Sequence, residues 1–125
     1  MPNDASLLNN LSIALLQTGR NDEAAAHAQT ALASDPNMPQ ALNTMGQVMM
    51  INHDYEGAAK YFLKAIEQQP DIPARYWNAA LALEQARKYD LSRQYALKYM
   101  EMEQDGMGRQ RATEFLDYLN KKKAR

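Results

Sequence analysis

Apolar residues recur along this chain at three- and four-residue steps, interrupted at regular intervals by short polar segments. Leu7, Leu8, Leu11, Ala14 and Leu15 form one such stripe, Thr18-Gly19-Arg20-Asn21-Asp22 breaks it, and Ala24, Ala28, Ala31 and Leu32 resume it. A second stretch runs through Leu42, Met45 and Met49, turns at Asn52-His53-Asp54 and returns through Ala58, Phe62, Ala65 and Ile66. A third runs through Tyr76, Ala79, Ala80 and Leu83, turns at Arg87-Lys88-Tyr89-Asp90 and returns through Ala96, Tyr99 and Met100. The spacing predicts six helices in three pairs. Gly19 suits a left-handed helix end. Pro36, Pro39, Pro70 and Pro73 fall in the joints, where a missing amide donor costs little and the fixed φ suits a first helical turn. No β-branched alternation marks a strand.

The three pairs are copies of one another. Displaced by 34 residues the chain falls onto itself, so that Pro2, Pro36 and Pro70 coincide, as do Ala24, Ala58 and Ser92, and Leu32, Ile66 and Met100. A fixed period of this size marks a solenoid of supersecondary units, each of which buries its apolar face against its neighbours. Such an architecture offers a surface rather than a catalytic cavity. Small residues sharpen the pattern, because two helices approach closely only where a side chain is removed from between them. Gly46 and Ala80 share one place in the period and Ala24, Ala58 and Ser92 another, while Leu15, Met49 and Leu83 fill the complementary place.

This pattern resembles the tetratricopeptide repeat over residues 5–106. In the second unit Leu42, Met45-Gly46, Met49, Ala58, Phe62, Ala65 and Pro70 match the family signature. Ser12 stands where glycine or alanine is usual, Tyr99 replaces the second alanine of the third unit, and Gln104 replaces its proline, departures that fit end units. The resemblance implies an all-α fold, a right-handed α-solenoid of three helix-turn-helix units spanning 5–38, 39–72 and 73–106 within a single domain. Residues 107–121 read as a seventh, capping helix with Ala112, Phe115, Leu116 and Leu119 on one stripe, followed by a basic tail at 122–125. At the opposite end Met1-Pro2-Asn3-Asp4-Ala5 repeats the register of the joints. It reads either as a cut from a longer repeat array, with Met1 as an added start, or as a first helix capped by Asn3 or Asp4.

The resemblance also implies that the first helix of each pair lines a concave groove. The matching groove places hold Asn9-Asn10, Asn43-Thr44 and Trp77-Asn78, then Ile13, Gln47 and Leu81, with Met50 and Ile51 one turn further on. Amides of this kind hydrogen-bond an extended backbone without demanding a particular side chain, and Met50, Ile51 and Trp77 supply apolar anchors. Trp77 is equally a candidate for the core. Family members that grip the carboxylate end of heat-shock chaperones use a lysine and an asparagine, then an asparagine, then a lysine and an arginine. Here those places hold Asn9, Ile13, Thr44, Ala74 and Asn78, so the charge-assisted hydrogen bonds to a terminal carboxylate are missing.

Charge and candidate chemistry narrow the reading further. Fourteen basic against fifteen acidic side chains leave a net charge of −1, which supplies no bulk attraction for nucleic acid or an anionic membrane. The chain has no cysteine for a disulfide or a thiolate metal site, and no stretch reads as a signal peptide or a membrane span. The expected compartment is the cytoplasm, or the periplasm if the segment derives from an exported protein. His27 and His53 lack a second histidine at ligand spacing, no phosphate loop or nucleophile motif occurs, and Glu101 and Glu103 fall on different sides of a helix. No cofactor, metal or small-molecule substrate is expected. The sequence thus predicts a non-catalytic interaction module that holds a peptide or helical segment of a partner protein. The alternative is a subunit packing end to end in a longer array or a multiprotein secretion or pilus complex, with homo-oligomers open to either.

Overall fold

The computed structural model describes residues 4–123. The joint-like start at Met1 to Asn3 and the last two residues of the basic tail lie outside the described residues. Among those described, seven helices and no strand are present: α1 (Ala5–Gln17), α2 (Asn21–Ser34), α3 (Pro39–Ile51), α4 (Tyr55–Gln68), α5 (Pro73–Gln85), α6 (Tyr89–Met102) and α7 (Gly106–Lys123). Asp4 caps α1 by accepting from the amides of Ser6 and Leu7, and Asp54 caps α4 by accepting from Gly57. Pro39 and Pro73 open α3 and α5.

Each helical hairpin closes in the same way. Gly19, His53 and Arg87 hold one place in the period and all take positive φ, at 80°, 62° and 63°. Their left-handed conformation lets the next amide turn back onto the helix, in Arg20 N to Leu15 O, Asp54 N to Met49 O and Lys88 N to Leu83 O, each at 2.9 Å. Glycine takes this conformation freely, whereas His53 and Arg87 bear a strain of about 1–2 kcal/mol each.

The chain divides into two compact units, Met1–Pro70 and Asp71–Arg125. In the first unit α1 pairs with α2 and α3 with α4, and α3 packs against both α1 and α2. Ala31, Met38 and Ala41 form a buried cluster there, with Ala5, Leu8 and Leu32 packed on it. Gly46 permits the closest approach, since a Cβ there would lie 2.8 Å from Cζ of the buried Phe62. In the second unit α5 pairs with α6, and α7 packs on α6. Ala79, Ala80, Leu83, Ala96, Tyr99, Ala112 and Leu119 are buried, and Tyr76 stacks on Tyr95 with centroids 6.2 Å apart. Burial lowers the pKa of the Arg75 guanidinium, and Asp71 partly offsets the effect.

The two serines that depart from the expected small residues make equivalent bonds from opposite helices. Ser12 Oγ on α1 donates to the Ala24 carbonyl on α2 at 2.6 Å, and Ser92 Oγ on α6 donates to the Ala80 carbonyl on α5 at 2.7 Å. Places 12 and 24 recur as 80 and 92, so the donor has changed helix while the bond has stayed. A buried hydroxyl at such a crossing is tolerated because it finds an acceptor within reach.

Candidate partner-binding surface

The side chains expected to line a groove separate into buried and accessible groups. Asn9 and Thr44 are buried, at 2% and 1% exposure, so neither offers its polar group to a ligand. Thr44 Oγ1 lies 2.9 Å from both Asn9 Oδ1, across the α1–α3 seam, and the Gln40 carbonyl of its own helix, sharing its proton between the two acceptors. Short polar side chains at these two places reach each other, and pairing removes the penalty of burying them. Their assignment to the groove is therefore corrected to a buried polar lock.

Within the first unit, Asn10, Ile13, Gln47 and Ile51 are exposed, and Asn43 and Met50 are half-buried. Ile13 and Gln47 occupy equivalent places beside the Asn9–Thr44 lock, with Met50 and Ile51 within a turn of Gln47. Helices α1 and α3 contain no Asp, Glu, Lys or Arg at all, so this surface is neutral throughout. Asn10 stands at the place that Thr44 holds in α3, on the flank of α1 rather than with Ile13.

In the second unit Trp77, Asn78 and Leu81 are half-buried. The Trp77 ring packs on Tyr99 and on Phe115, each with centroids 5.2 Å apart, and the Arg111 guanidinium lies 5.2 Å from its centroid. Arg111 Nη2 also donates to the Tyr99 hydroxyl at 3.2 Å, and Phe115 continues the ring contacts to Tyr118, whose hydroxyl donates to Glu84 Oε2 at 2.9 Å. Trp77 thus ties α5 to α6 and α7, and only its remaining edge is free for a ligand. The sequence pointed to Ala112, Phe115, Leu116 and Leu119 as the stripe of the last helix but gave no packing role to Gly108, Arg111 and Tyr118. The signal for the first is that a Cβ at Gly108 would stand 2.6 Å from the Tyr99 hydroxyl. A glycine facing a tyrosine that replaces alanine marks compensation in volume, but it is readable only once the two places are known to meet.

Depressions among the described residues lie elsewhere. One of about 420 Å³ is lined by α4 residues including Lys60, Tyr61, Lys64 and Glu67, and another, of about 440 Å³, by α7 residues including Met107, Gln110, Arg111 and Glu114. No residue expected to line the groove borders either of them. His27 is half-buried on α2, and His53 is exposed in its turn with Nδ1 2.7 Å from the Tyr55 hydroxyl. Among the described residues no group of His, Cys, Asp or Glu is placed to hold a metal, and no helix is long and apolar enough to cross a membrane.

Helices of 13 and 14 residues paired in the same way three times, closed by one left-handed turn and repeated at one period, define a helical-hairpin repeat protein. The family model described as tetratricopeptide repeat matches residues 15–84, and the chain belongs to that family. Protein FlbA of Caulobacter vibrioides (strain ATCC 19089 / CIP 103742 / CB 15) is 32% identical over 81 residues, which cover 65% of this chain and 14% of FlbA. The match thus spans about a seventh of that relative's length. Among solved structures, the first tetratricopeptide domain of Spaghetti (RPAP3), bound to the HSP90 peptide SRMEEVD, superposes with a TM-score of 0.88 at 16% identity, covering 98% of this chain and 94% of that one. The type III secretion translocator chaperone SycD of Yersinia enterocolitica gives 0.89 at 16% identity over 100% of this chain and 89% of its own, and it is also solved with a peptide of the translocator YopD. At this identity the likeness establishes the fold, an all-α helical repeat.

Proposed function

We propose that the chain is a non-catalytic protein-interaction module that holds an extended or helical segment of a partner protein against the first helices of its hairpins. The observation that carries this reading is the neutral, accessible strip of Ile13, Gln47, Met50 and Ile51 on α1 and α3, two helices without a single charge. The peptides held by the two structural neighbours support the class of activity. The ligand differs from the acidic tail in the first of them, because Ile13, Thr44 and Ala74 stand where a carboxylate grip needs charge and amide donors, and Thr44 is buried as well. A neutral surface with adaptable methionine and aliphatic anchors suits a segment whose own anchors are apolar and uncharged.

The test is capture of a partner on immobilised chain beside an Ile13→Asp, Met50→Asp, Ile51→Asp variant. Ile13 and Ile51 are exposed and Met50 is half-buried, and circular dichroism of the variant is expected to match the parent. Asn9, Thr44 and Trp77 are left intact because their loss would disturb packing. A protein retained by the parent and lost, by about 100-fold in affinity, from the folded variant supports the reading; equal retention by both refutes it.

A further inference from the structure

Hydrogen-bonding capacity decides which form of chain the strip on α1 and α3 can hold. An extended segment arrives with its backbone amides and carbonyls unpaired along its length, and those laid against the protein must find donors and acceptors there. Of the polar side chains at the groove places of these two helices, Asn9 and Thr44 are buried and spent on each other, and the half-buried Asn43 is already engaged within the protein. Asn10 stands on the flank of α1 rather than with Ile13. Gln47 and, at the end of α1, Gln17 are the amides left exposed. The rest of the strip is apolar: Ile13 is 37% exposed and Ile51 44%, and Leu16 and Met50 are half-buried within a turn of them.

We infer that the segment held there is an amphipathic helix whose apolar stripe carries no charge. The inference rests on the strip being the partner-binding surface, as proposed above, and goes beyond it in fixing the form of the ligand. A helix satisfies its backbone hydrogen bonds internally, so it asks of the surface little more than apolar contact. Its side chains at three- and four-residue steps fall on one face. Ile13 with Leu16 on α1, and Met50 with Ile51 on α3, supply apolar contact from two helices packed on each other. The axes of helices packed in this way lie about 8–10 Å apart, a spacing that a third helix bridges by setting a ridge of side chains between them. Because neither α1 nor α3 holds an Asp, Glu, Lys or Arg, a charge within the stripe would be buried with no opposite charge on either helix, whereas charges on the far face of the ligand stay in water.

The test is selection of phage-displayed random peptides of about 16 residues, long enough for a helix of about 24 Å, on the immobilised 125-residue chain. The folded Ile13→Asp, Met50→Asp, Ile51→Asp variant serves as counter-selection. Retained sequences are expected to carry uncharged apolar residues at three- and four-residue steps over two turns or more. A synthetic peptide of such a sequence is expected to gain helical circular dichroism on binding, and to lose about 100-fold in affinity when a central residue outside its apolar stripe is replaced by proline. Retained sequences whose apolar residues alternate at two-residue steps, or whose binding tolerates the central proline, overturn the helix while leaving the surface standing as a partner site. If no sequence prefers the parent to the variant, the surface itself falls as a site and the inference falls with it.

Discussion

Two seams in this molecule occupy matching places in the repeat and are built in opposite ways. In the first unit, Ala31 of α2 meets Ala41, the third residue of α3, and Asn9 of α1 meets Thr44, the sixth. In the second, Tyr99 of α6 meets Gly108, the third residue of α7, and Trp77 of α5 meets Arg111, the sixth. Small residues with short polar groups give a closed seam in which amide and hydroxyl satisfy each other. Large aromatic residues cannot be swallowed whole at the same places. Tyr99 is buried only because its neighbour has no side chain, and Trp77 stays half-buried with a guanidinium over its face. One backbone arrangement thus yields a sealed joint at one place and a partly accessible aromatic surface at another. Residue volume decides which.

The sharpest way to break the comparison is to give the second seam the small residues of the first. Tyr99→Ala is expected to cost about 3–5 kcal/mol in urea unfolding, because the ring is buried and its space cannot be refilled by the backbone of α7. Gly108→Ala alone is expected to cost about 1–3 kcal/mol, its Cβ being forced against the tyrosine hydroxyl. In the Tyr99→Ala background the same change should become neutral or favourable. Simple addition of the two costs in that double-mutant cycle would disprove the compensation.

Thr44→Val tests the sealed seam. It keeps the shape but strips Asn9 of its partner in a buried site, and the expected loss is about 1–3 kcal/mol, read by the same unfolding experiment. A neutral outcome would mean that Asn9 finds another partner or water, and that the lock is not what closes the seam. The smallest effect is expected at Arg111→Ala. That guanidinium is exposed, so removing its contact with Trp77 should cost about 0.5–1 kcal/mol, with a change in indole fluorescence reporting the altered surroundings of the ring. A loss as large as that of Tyr99→Ala would show that Arg111, rather than the packed rings, holds α7 in place.

Much of the fold was legible because its signals are local. Stripe spacing marked the paired helices, Gly19 and the joint prolines marked their ends, and one period tied the places together. The site was less legible for a definite reason. Asn9, Asn10, Thr44 and Asn78 look alike as polar positions on helix surfaces, yet Asn9 and Thr44 are sealed against each other, whereas Asn10 is open because no helix of the described chain lies beside it. Trp77 was readable as core or as anchor, and it serves packing because Phe115 and Tyr99 arrive from two other helices.

By itself, then, the sequence determined the helices, their pairing and their period, since periodicity, caps and turn residues act through interactions within a few residues of chain. Only the tertiary structure decided which equivalent places became seam, surface or open flank. Burial of a side chain depends on the volume and polarity of residues brought from other helices: Tyr99 needed Gly108, Thr44 needed Asn9, and Leu11 is exposed where no described helix packs on it.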